Sequence, residues 1–190
     1  TNVVTYDTPV TNIANFIEKV YLEHNFSGFQ GDRKFARDDQ AQKAFSKLRS
    51  SIGGIYAWRV GEVTGQIIEA QKKPPGQRSQ EEINHLIAVR ERMIKETDFT
   101  FRQAFAFCPY SPEAVFRYSQ FLLQMNPPRL DDAWIVATTC QKLDPFNGSV
   151  IGLVENLKNY RKQAGLPAQP STSQNAMAQQ LKQMELEYRK

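Results

Sequence analysis

The sequence predicts an all-α protein built from stacked helical hairpins, and two observations carry this prediction. Apolar residues recur at intervals of three and four along most of the chain, which is the spacing of one helix face. Two predicted helices also end alike, with small residues in their last turns and a proline just beyond, at Pro109 and Pro145. These prolines lie 36 residues apart, a period typical of repeated helix-turn-helix units.

Length and composition indicate one soluble globular domain with polar ends. The chain has 190 residues, of which 41% are hydrophobic and 23% charged, and this is long enough to bury a sizeable core. The net charge of +4 is mild, and basic residues are interspersed with acidic ones. Because no basic stripe with interleaved aromatic residues is visible, we expect no nucleic-acid partner.

The two cysteines, Cys108 and Cys140, fall late in the second helices of successive predicted hairpins. Equivalent positions of neighbouring units lie about 10 Å apart. A disulfide needs a Cα separation of about 5.5 Å. We therefore predict two buried free thiols, which leave the redox compartment undetermined.

The first part of the chain is predicted to form one short helix and one long hairpin. A helix at 9–24 begins after Thr8 as N-cap, and the loop that follows carries three phenylalanines expected to pin it to the domain. A hairpin over 39–108 is broken at its middle by Lys73-Pro74-Pro75-Gly76. The first helix of this hairpin carries an apolar set at helical spacing: Ala41, Ala44, Phe45, Leu48, Ile52, Ile55 and Tyr56.

Within that helix the pair Gly53-Gly54 costs about 1 kcal/mol per glycine relative to alanine. A helix tolerates this cost where a neighbouring element must come very close. The alternative is that the helix is simply less stable at this point. Asp38 or Asp39 is expected to cap this helix, and Ser79 with Glu82 forms a capping box for the second one.

The second part of the chain is predicted to hold one repeat at 112–145 and a capping helix at 148–162. Residues 165–175 have the composition of a flexible linker. The segment 176–190 places Met177, Leu181, Met184 and Tyr188 on one face, which predicts a polar amphipathic C-terminal helix. It is expected to dock on the domain, pair with another helix or fray.

With these residues in view, the chain resembles the tetratricopeptide repeat family of helical solenoids. The residues that carry the resemblance follow the family pattern in two units and begin a third near Gly148. They are Ile52, Gly53, Tyr56, Phe101, Ala104 and Pro109 in the first unit, and Val115, Tyr118, Ser119, Leu122, Ala133, Ala137, Cys140 and Pro145 in the second. The first unit departs from the pattern by an excess of residues between Tyr56 and Thr97, which predicts a projecting antiparallel hairpin with two equal arms.

The resemblance implies a protein-protein interaction scaffold that binds a peptide or helix on a concave face. The residues that the family register places on that face are Ser50, Trp58, Glu113, Phe116, Gln120, Leu123 and Asn156. Ordinary core packing is the alternative for Trp58 and Phe116. Some family members hold the C-terminal carboxylate of their ligand with a lysine and an asparagine, and this chain has Phe116 and Gln120 at those positions. An apolar or extended ligand is therefore expected instead of a terminal carboxylate.

A less specific resemblance gives a second hypothesis. The stretches 101–123 and 142–150 look like the repeat-bearing soluble tails of bacterial membrane proteins related to lipid-linked-sugar glycosyltransferases. This resemblance implies a non-catalytic accessory or regulatory domain on the periplasmic face of a membrane protein. Such a domain would be attached to the membrane only through a region upstream of this chain. The start on Thr1 rather than methionine is interpreted as processing or a fragment.

No enzymatic activity, metal or cofactor is expected from the residues. Glu82 and His85 have the Glu-x-x-His spacing of bundle metal sites, but that chemistry needs a second such pair. A nucleophile pair of Cys108 with a histidine is not supported by any neighbouring motif. The glycines Gly53-Gly54 lie within a predicted helix and not in a phosphate-binding loop.

Overall fold

The computed structural model describes residues 4–167, and every regular element in this range is helical. The all-α class is therefore confirmed for the described chain. The helices are α1 Val10–Ile17, α2 Asp39–Lys72, α3 Gln80–Phe107, α4 Pro112–Leu123, α5 Leu130–Leu143 and α6 Gly148–Gln163. A π-helical segment, Glu18–Leu22, continues α1, and short 3₁₀ turns occupy Phe35–Arg37 and Pro75–Gln77.

When the π-helical segment is counted with α1, the helical elements begin and end within about two residues of the segments predicted from sequence. Of the predicted linker 165–175, the described chain includes only residues 165–167, and the predicted C-terminal helix 176–190 lies outside the described residues. None of the described helices is long and apolar enough to span a bilayer.

Side-chain caps fix four of the helix starts, and the one at α6 is Asn147, which accepts a hydrogen bond from the Val150 amide at 3.3 Å. Asp38, and not Asp39, accepts a hydrogen bond from the Ala41 amide at 3.0 Å. Ser79 and Ser111 accept hydrogen bonds from amides three residues later in the same way. The prediction of Thr8 as the cap of α1 is wrong, because Pro9 occupies the cap position and no side chain caps that helix.

The helices α2 and α3 form a long antiparallel hairpin about the Pro75–Gln77 turn. Ser46 contacts Ala104 near the base, and Lys73 pairs with Glu82 at the tip. At 1.5 Å per residue, α2 is about 51 Å long and α3 about 42 Å. The tip half is held by a narrow apolar seam of Val63, Ile67, Ala70 and Ile83, none of which belongs to the main hydrophobic core.

The main core lies at the base of the hairpin, where α1, α3, α4, α5 and α6 meet. Its fully buried side chains include Ile17, Phe105, Tyr118, Leu122 and Leu157. The helix α2 contacts α3 and α4, and α6 contacts α5 and α4, while α1 packs against α3 and α5. The later helices therefore pack successively beside the hairpin, and α1 packs across α3 and α5.

The glycine pair in α2 marks two close approaches. A Cβ atom on Gly53 would lie 3.0 Å from the Phe101 ring and 3.1 Å from the Thr100 hydroxyl. A Cβ atom on Gly54 would lie 3.3 Å from the guanidinium of Arg117 on α4. The prediction that a neighbour comes very close at these glycines is therefore confirmed.

A buried polar network ties four elements together around Asp98 on α3. The Asp98 carboxylate accepts hydrogen bonds from Arg102, from the Tyr118 hydroxyl at 2.8 Å and from Arg129 at 2.8 Å. Arg102 also donates to the carbonyl groups of residues 6 and 8, each at 2.8 Å. The N-terminal segment, α3, α4 and the start of α5 thus share one ionic centre.

Candidate functional site

In the half of α2 that lies at the base of the hairpin, small and polar side chains are buried and large apolar ones are exposed. Its contact face at the base of the hairpin consists of Gln42, Ser46, Ser50 and Gly53, all of them buried. The opposite face exposes 56% of Leu48, 65% of Ile55 and 63% of Trp58. The usual distribution is the reverse, because transfer of apolar surface out of water is the main gain in folding.

The buried polar groups of α2 are largely satisfied, which makes this inverted arrangement possible. Ser46 donates a 2.8 Å hydrogen bond to the Ala104 carbonyl of α3. Gln42 donates to the Phe35 carbonyl at 2.7 Å and accepts from the Tyr110 hydroxyl at 2.6 Å. Small side chains also let the two long helices approach closely, as at Gly53, where an added Cβ would lie 3.0 Å from the Phe101 ring.

A shallow depression of about 400 Å³ lies between α2 and α4 beside the exposed apolar residues. It is lined by Ser51, Gly54, Ile55 and Trp58 of α2 and by Arg117 of α4. Arg117 pairs with Glu113 one turn earlier at 2.9 Å, and both side chains remain about half exposed.

We name the surface formed by Leu48, Ile55, Trp58, Glu113 and Arg117 the α2–α4 surface. It combines an apolar stripe with a charged edge, which is the general composition of an interaction site with a hydrophobic centre and a polar rim. Nothing among these five side chains forms a nucleophile-base pair.

Trp58 and Glu113, two of the residues assigned from sequence, lie on this surface. Phe116 and Gln120 are also exposed on α4, and their spacing of three and seven residues from Glu113 puts all three on one side of that helix. Phe116 is 39% exposed, so it is only partly packed.

The other three assigned residues lie elsewhere. Ser50 is 3% exposed, on the α3 side of α2, and its hydroxyl has no hydrogen-bond partner. It therefore cannot meet a ligand in this conformation. Leu123 is half-buried against the core, and Asn156 is exposed on α6 without lining the depression.

Sequence reasoning missed Ile55, Leu48 and Arg117 as surface residues. The apolar spacing of α2 is visible in the sequence and identifies a stripe of residues. It does not show whether a neighbouring element covers that stripe. The available signal was on the other side of the helix, where Ser46, Ser50 and Gly53 follow one another at intervals of four and three. A row of small residues at that spacing indicates a close helix contact.

The cysteines are confirmed as buried free thiols in the described chain. Burial raises the pKa of Cys108, and it raises that of Cys140 to about 12.

Glu82 forms an ion pair with Lys73 at 3.4 Å. Between residues 4 and 167, no three of the histidine, cysteine, aspartate and glutamate side chains come together in a group that could hold a metal ion.

No known family model, curated protein or solved structure matches this chain significantly. The α2–α4 surface must therefore be interpreted from its own chemistry.

Proposed function

We propose that this chain is a protein-interaction scaffold, and that its α2–α4 surface binds an amphipathic helix or an extended apolar peptide. The observation that carries the proposal is the inverted burial of α2, with serine and glycine inside and leucine, isoleucine and tryptophan outside. Full burial of a large apolar side chain is worth roughly 1.5–3 kcal/mol, and more than half of each of these three is still exposed. A partner that covers them gains the corresponding part of this free energy.

The spacing of the exposed residues favours a helical or extended partner over a globular one. Leu48, Ile55 and Trp58 lie seven and three residues apart, so they form a row about three turns long along α2. Helices that bind in grooves present anchors at i, i+3, i+4 and i+7, a span of about two turns that fits within this row. The Glu113–Arg117 edge supplies charges that orient the partner.

The proposal includes a solenoid arrangement of the tetratricopeptide type. In that arrangement α2, α4 and α6 are the first helices of successive units and line the binding side. The contacts of α2 with α4 and of α4 with α6, together with those of α3 with α4 and α5 with α6, support it. Trp58, Glu113, Phe116, Gln120 and Asn156 then belong to one face, whereas Ser50 and Leu123 serve packing.

A displayed library of amphipathic 16-residue peptides tests this function. Peptides selected on the full chain are expected to carry large apolar residues at helical spacing. Their affinity for the Trp58→Ala and Ile55→Gln variants should fall at least tenfold, which corresponds to about 1.4 kcal/mol. The matched control is Phe146→Ala, which removes a side chain that is 93% exposed in the turn between α5 and α6.

Circular dichroism and urea unfolding establish that each variant folds like the original chain. Peptides that bind all three variants equally, or a library that yields no binder, would exclude the α2–α4 surface as the binding site.

A further inference from the structure

The exposed row on α2 follows the repeat of a coiled coil. Its five residues are spaced four, three, four and three apart, and they are Ala44, Leu48, Ser51, Ile55 and Trp58. This alternation is that of the a and d positions of a heptad, which pack against a second helix. All five residues are exposed, so no helix within residues 4–167 covers the row.

A later segment of the same chain has the matching repeat. In residues 176–190, which we call the tail segment, Met177, Leu181, Met184 and Tyr188 are spaced four, three and four apart. The positions from Ala44 to Ile55 on α2 have the same spacing, which reads alike in both directions. A helical row of this spacing is about 17 Å long. The two rows are therefore equal in length and in phase.

The structure fixes the place at which the chain leaves the domain toward the tail segment. Arg161, near the end of α6, is buried and donates a 2.9 Å hydrogen bond to the Pro167 carbonyl. The same guanidinium pairs with Asp131 in the first turn of α5. Pro167 is therefore held beside the start of α5.

The start of α5 lies at the height of the row, as measured along the axis of α2. Arg129, which precedes α5, donates a 2.8 Å hydrogen bond to Asp98 on α3. Gly53 of α2 faces Thr100 of α3, since an added Cβ would lie 3.1 Å from the Thr100 hydroxyl. Because α2 and α3 run antiparallel, Asp98 lies at about the height of Ile55. The chain thus leaves the domain level with Ile55.

The distance from this point to α2 is within reach of the chain. The helix α4 contacts both α2 and α6, so α2 is two helices away from α6. Neighbouring helix axes lie about 8–10 Å apart, which makes the crossing about 20 Å. Residues 168–176 separate Pro167 from Met177 and span up to about 30 Å when extended. Met177 can therefore meet Ile55, and the tail segment then runs antiparallel to α2.

Charge agrees with this antiparallel register. With Met177 at Ile55, the remaining rows pair large residues with small ones and leucine with methionine: Leu181 with Ser51, Met184 with Leu48 and Tyr188 with Ala44. The flanking positions of a coiled coil carry the interhelical ion pairs. In this register Glu187 of the tail segment flanks Lys47, which is exposed on α2.

From these observations we infer that the tail segment folds back as a helix on the α2–α4 surface and competes there with an outside partner. The inference rests on the proposed function of that surface. A short tether gives a segment an effective concentration of the order of millimolar, so a weak contact suffices to hold it in place. Competition of this kind lowers the apparent affinity for a partner without abolishing binding.

Disulfide trapping in the full chain locates the tail segment without any peptide. The double variant Ser51→Cys, Leu181→Cys should form an intramolecular disulfide in glutathione buffer, because facing positions of paired helices approach the Cα separation of about 5.5 Å that a disulfide needs. The matched control is Glu69→Cys, Leu181→Cys. Glu69 is exposed on the same side of α2, 18 residues or about 27 Å farther along the hairpin, and should cross-link much more slowly.

A charge exchange tests the register. In the Ser51→Cys, Leu181→Cys background, Lys47→Glu should slow disulfide formation by several-fold, because it places like charges side by side. Addition of Glu187→Lys should restore the rate. A rate that is insensitive to both substitutions would overturn the antiparallel register.

A peptide selected on the full chain measures the competition. Leu181→Asp places a carboxylate in the apolar row of the tail segment and should tighten peptide binding roughly tenfold, since a tethered competitor is lost. Gln179→Asp adds the same charge on the opposite side of the predicted tail helix and should leave the affinity unchanged.

The outcomes separate this inference from the function on which it rests. Equal cross-linking of the two cysteine pairs, a disulfide that forms only between two copies of the chain, or peptide binding unchanged by Leu181→Asp would overturn the inference while the peptide site stands. If Ser51→Cys and Leu181→Cys cross-link but no peptide binds either the original chain or Leu181→Asp, the tail segment is the occupant of the surface and the proposed peptide binding fails.

Discussion

The hydroxyl of Tyr118 on α4 donates a 2.8 Å hydrogen bond to the carboxylate of Asp98 on α3, at the centre of the core. Burial raises the pKa of Tyr118 well above its usual value, and the neighbouring Asp98 charge adds to this. The phenol therefore remains a donor throughout the physiological range. Arg102 and Arg129 complete the network by pairing with the second oxygen of the same carboxylate.

The first prediction concerns the loss of that carboxylate. Asp98→Ala removes the acceptor of the buried Arg102 guanidinium and of the buried Tyr118 hydroxyl, and it breaks one of the two ion pairs of the part-buried Arg129. Removal of one partner from a buried ion pair typically costs about 3–5 kcal/mol. We expect a decrease of this size in the free energy of unfolding, measured by urea titration. Glu113→Ala is the control, because its exposed pair with Arg117 should be worth less than about 1 kcal/mol. Equal effects of the two substitutions would contradict a central role for Asp98.

The second prediction compares two glycines of the same helix. Gly53→Ala places a methyl group 3.0 Å from the Phe101 ring, so we expect a loss of about 1–3 kcal/mol through overpacking. Gly61→Ala meets nothing within 4 Å and should stabilise the protein by up to about 1 kcal/mol, because alanine favours the helix. Thermal unfolding of both variants measures the difference. A stabilising Gly53→Ala would mean that α2 and α3 are less closely packed at that point.

The third prediction concerns alkaline pH. Burial raises the pKa of the Cys140 thiol to about 12 in the folded protein, from its ordinary value of 9.0. As the pH rises, the Cys140 thiol therefore ionises in the unfolded chain before it ionises in the folded protein. The stability that Cys140 contributes is complete below pH 9 and is lost as the pH rises from 9 to 12, by about 1.4 kcal/mol per pH unit.

Urea unfolding of the reduced protein at several pH values between 7 and 11 measures this dependence. Cys140→Ala should lose stability less steeply than the original chain above pH 9. Identical slopes for the two proteins are the result that this account does not allow.

The fourth prediction concerns local opening of the long hairpin. Its tip half depends on the narrow seam of Val63, Ile67, Ala70 and Ile83, whereas its base belongs to the main core. Segments with few buried apolar contacts open at a lower free energy than the whole domain. Amide hydrogen exchange should therefore be faster in 60–93 than in 97–107.

Val63→Ala provides the matched test, because it weakens the seam without touching the main core. It should accelerate exchange in 60–93 and leave 97–107 unchanged. Uniform protection along α2 and α3 would show that the hairpin unfolds as one unit with the core.

Local chemistry along the chain was sufficient to predict the helices and their ends. The breaker Pro74-Pro75-Gly76, the caps at Ser79 and Ser111 and the prolines Pro109 and Pro145 act over a few residues, and the observed bounds follow them. The close approach at Gly53-Gly54 was also predictable, because glycine inside a long helix has a cost that a neighbour must justify.

The tertiary structure alone decided which face of α2 lies inside. Periodicity shows that Leu48 and Ile55 fall on one side of the helix and Ser46 on the other, but the side that lies inside depends on how α3 packs against the base of α2. The Asp98 network likewise joins residues that are distant in sequence, such as Tyr118 and the Tyr6 carbonyl, which are linked through Asp98 and Arg102. Such contacts are set by how the helices pack, and no local pattern in the sequence encodes them.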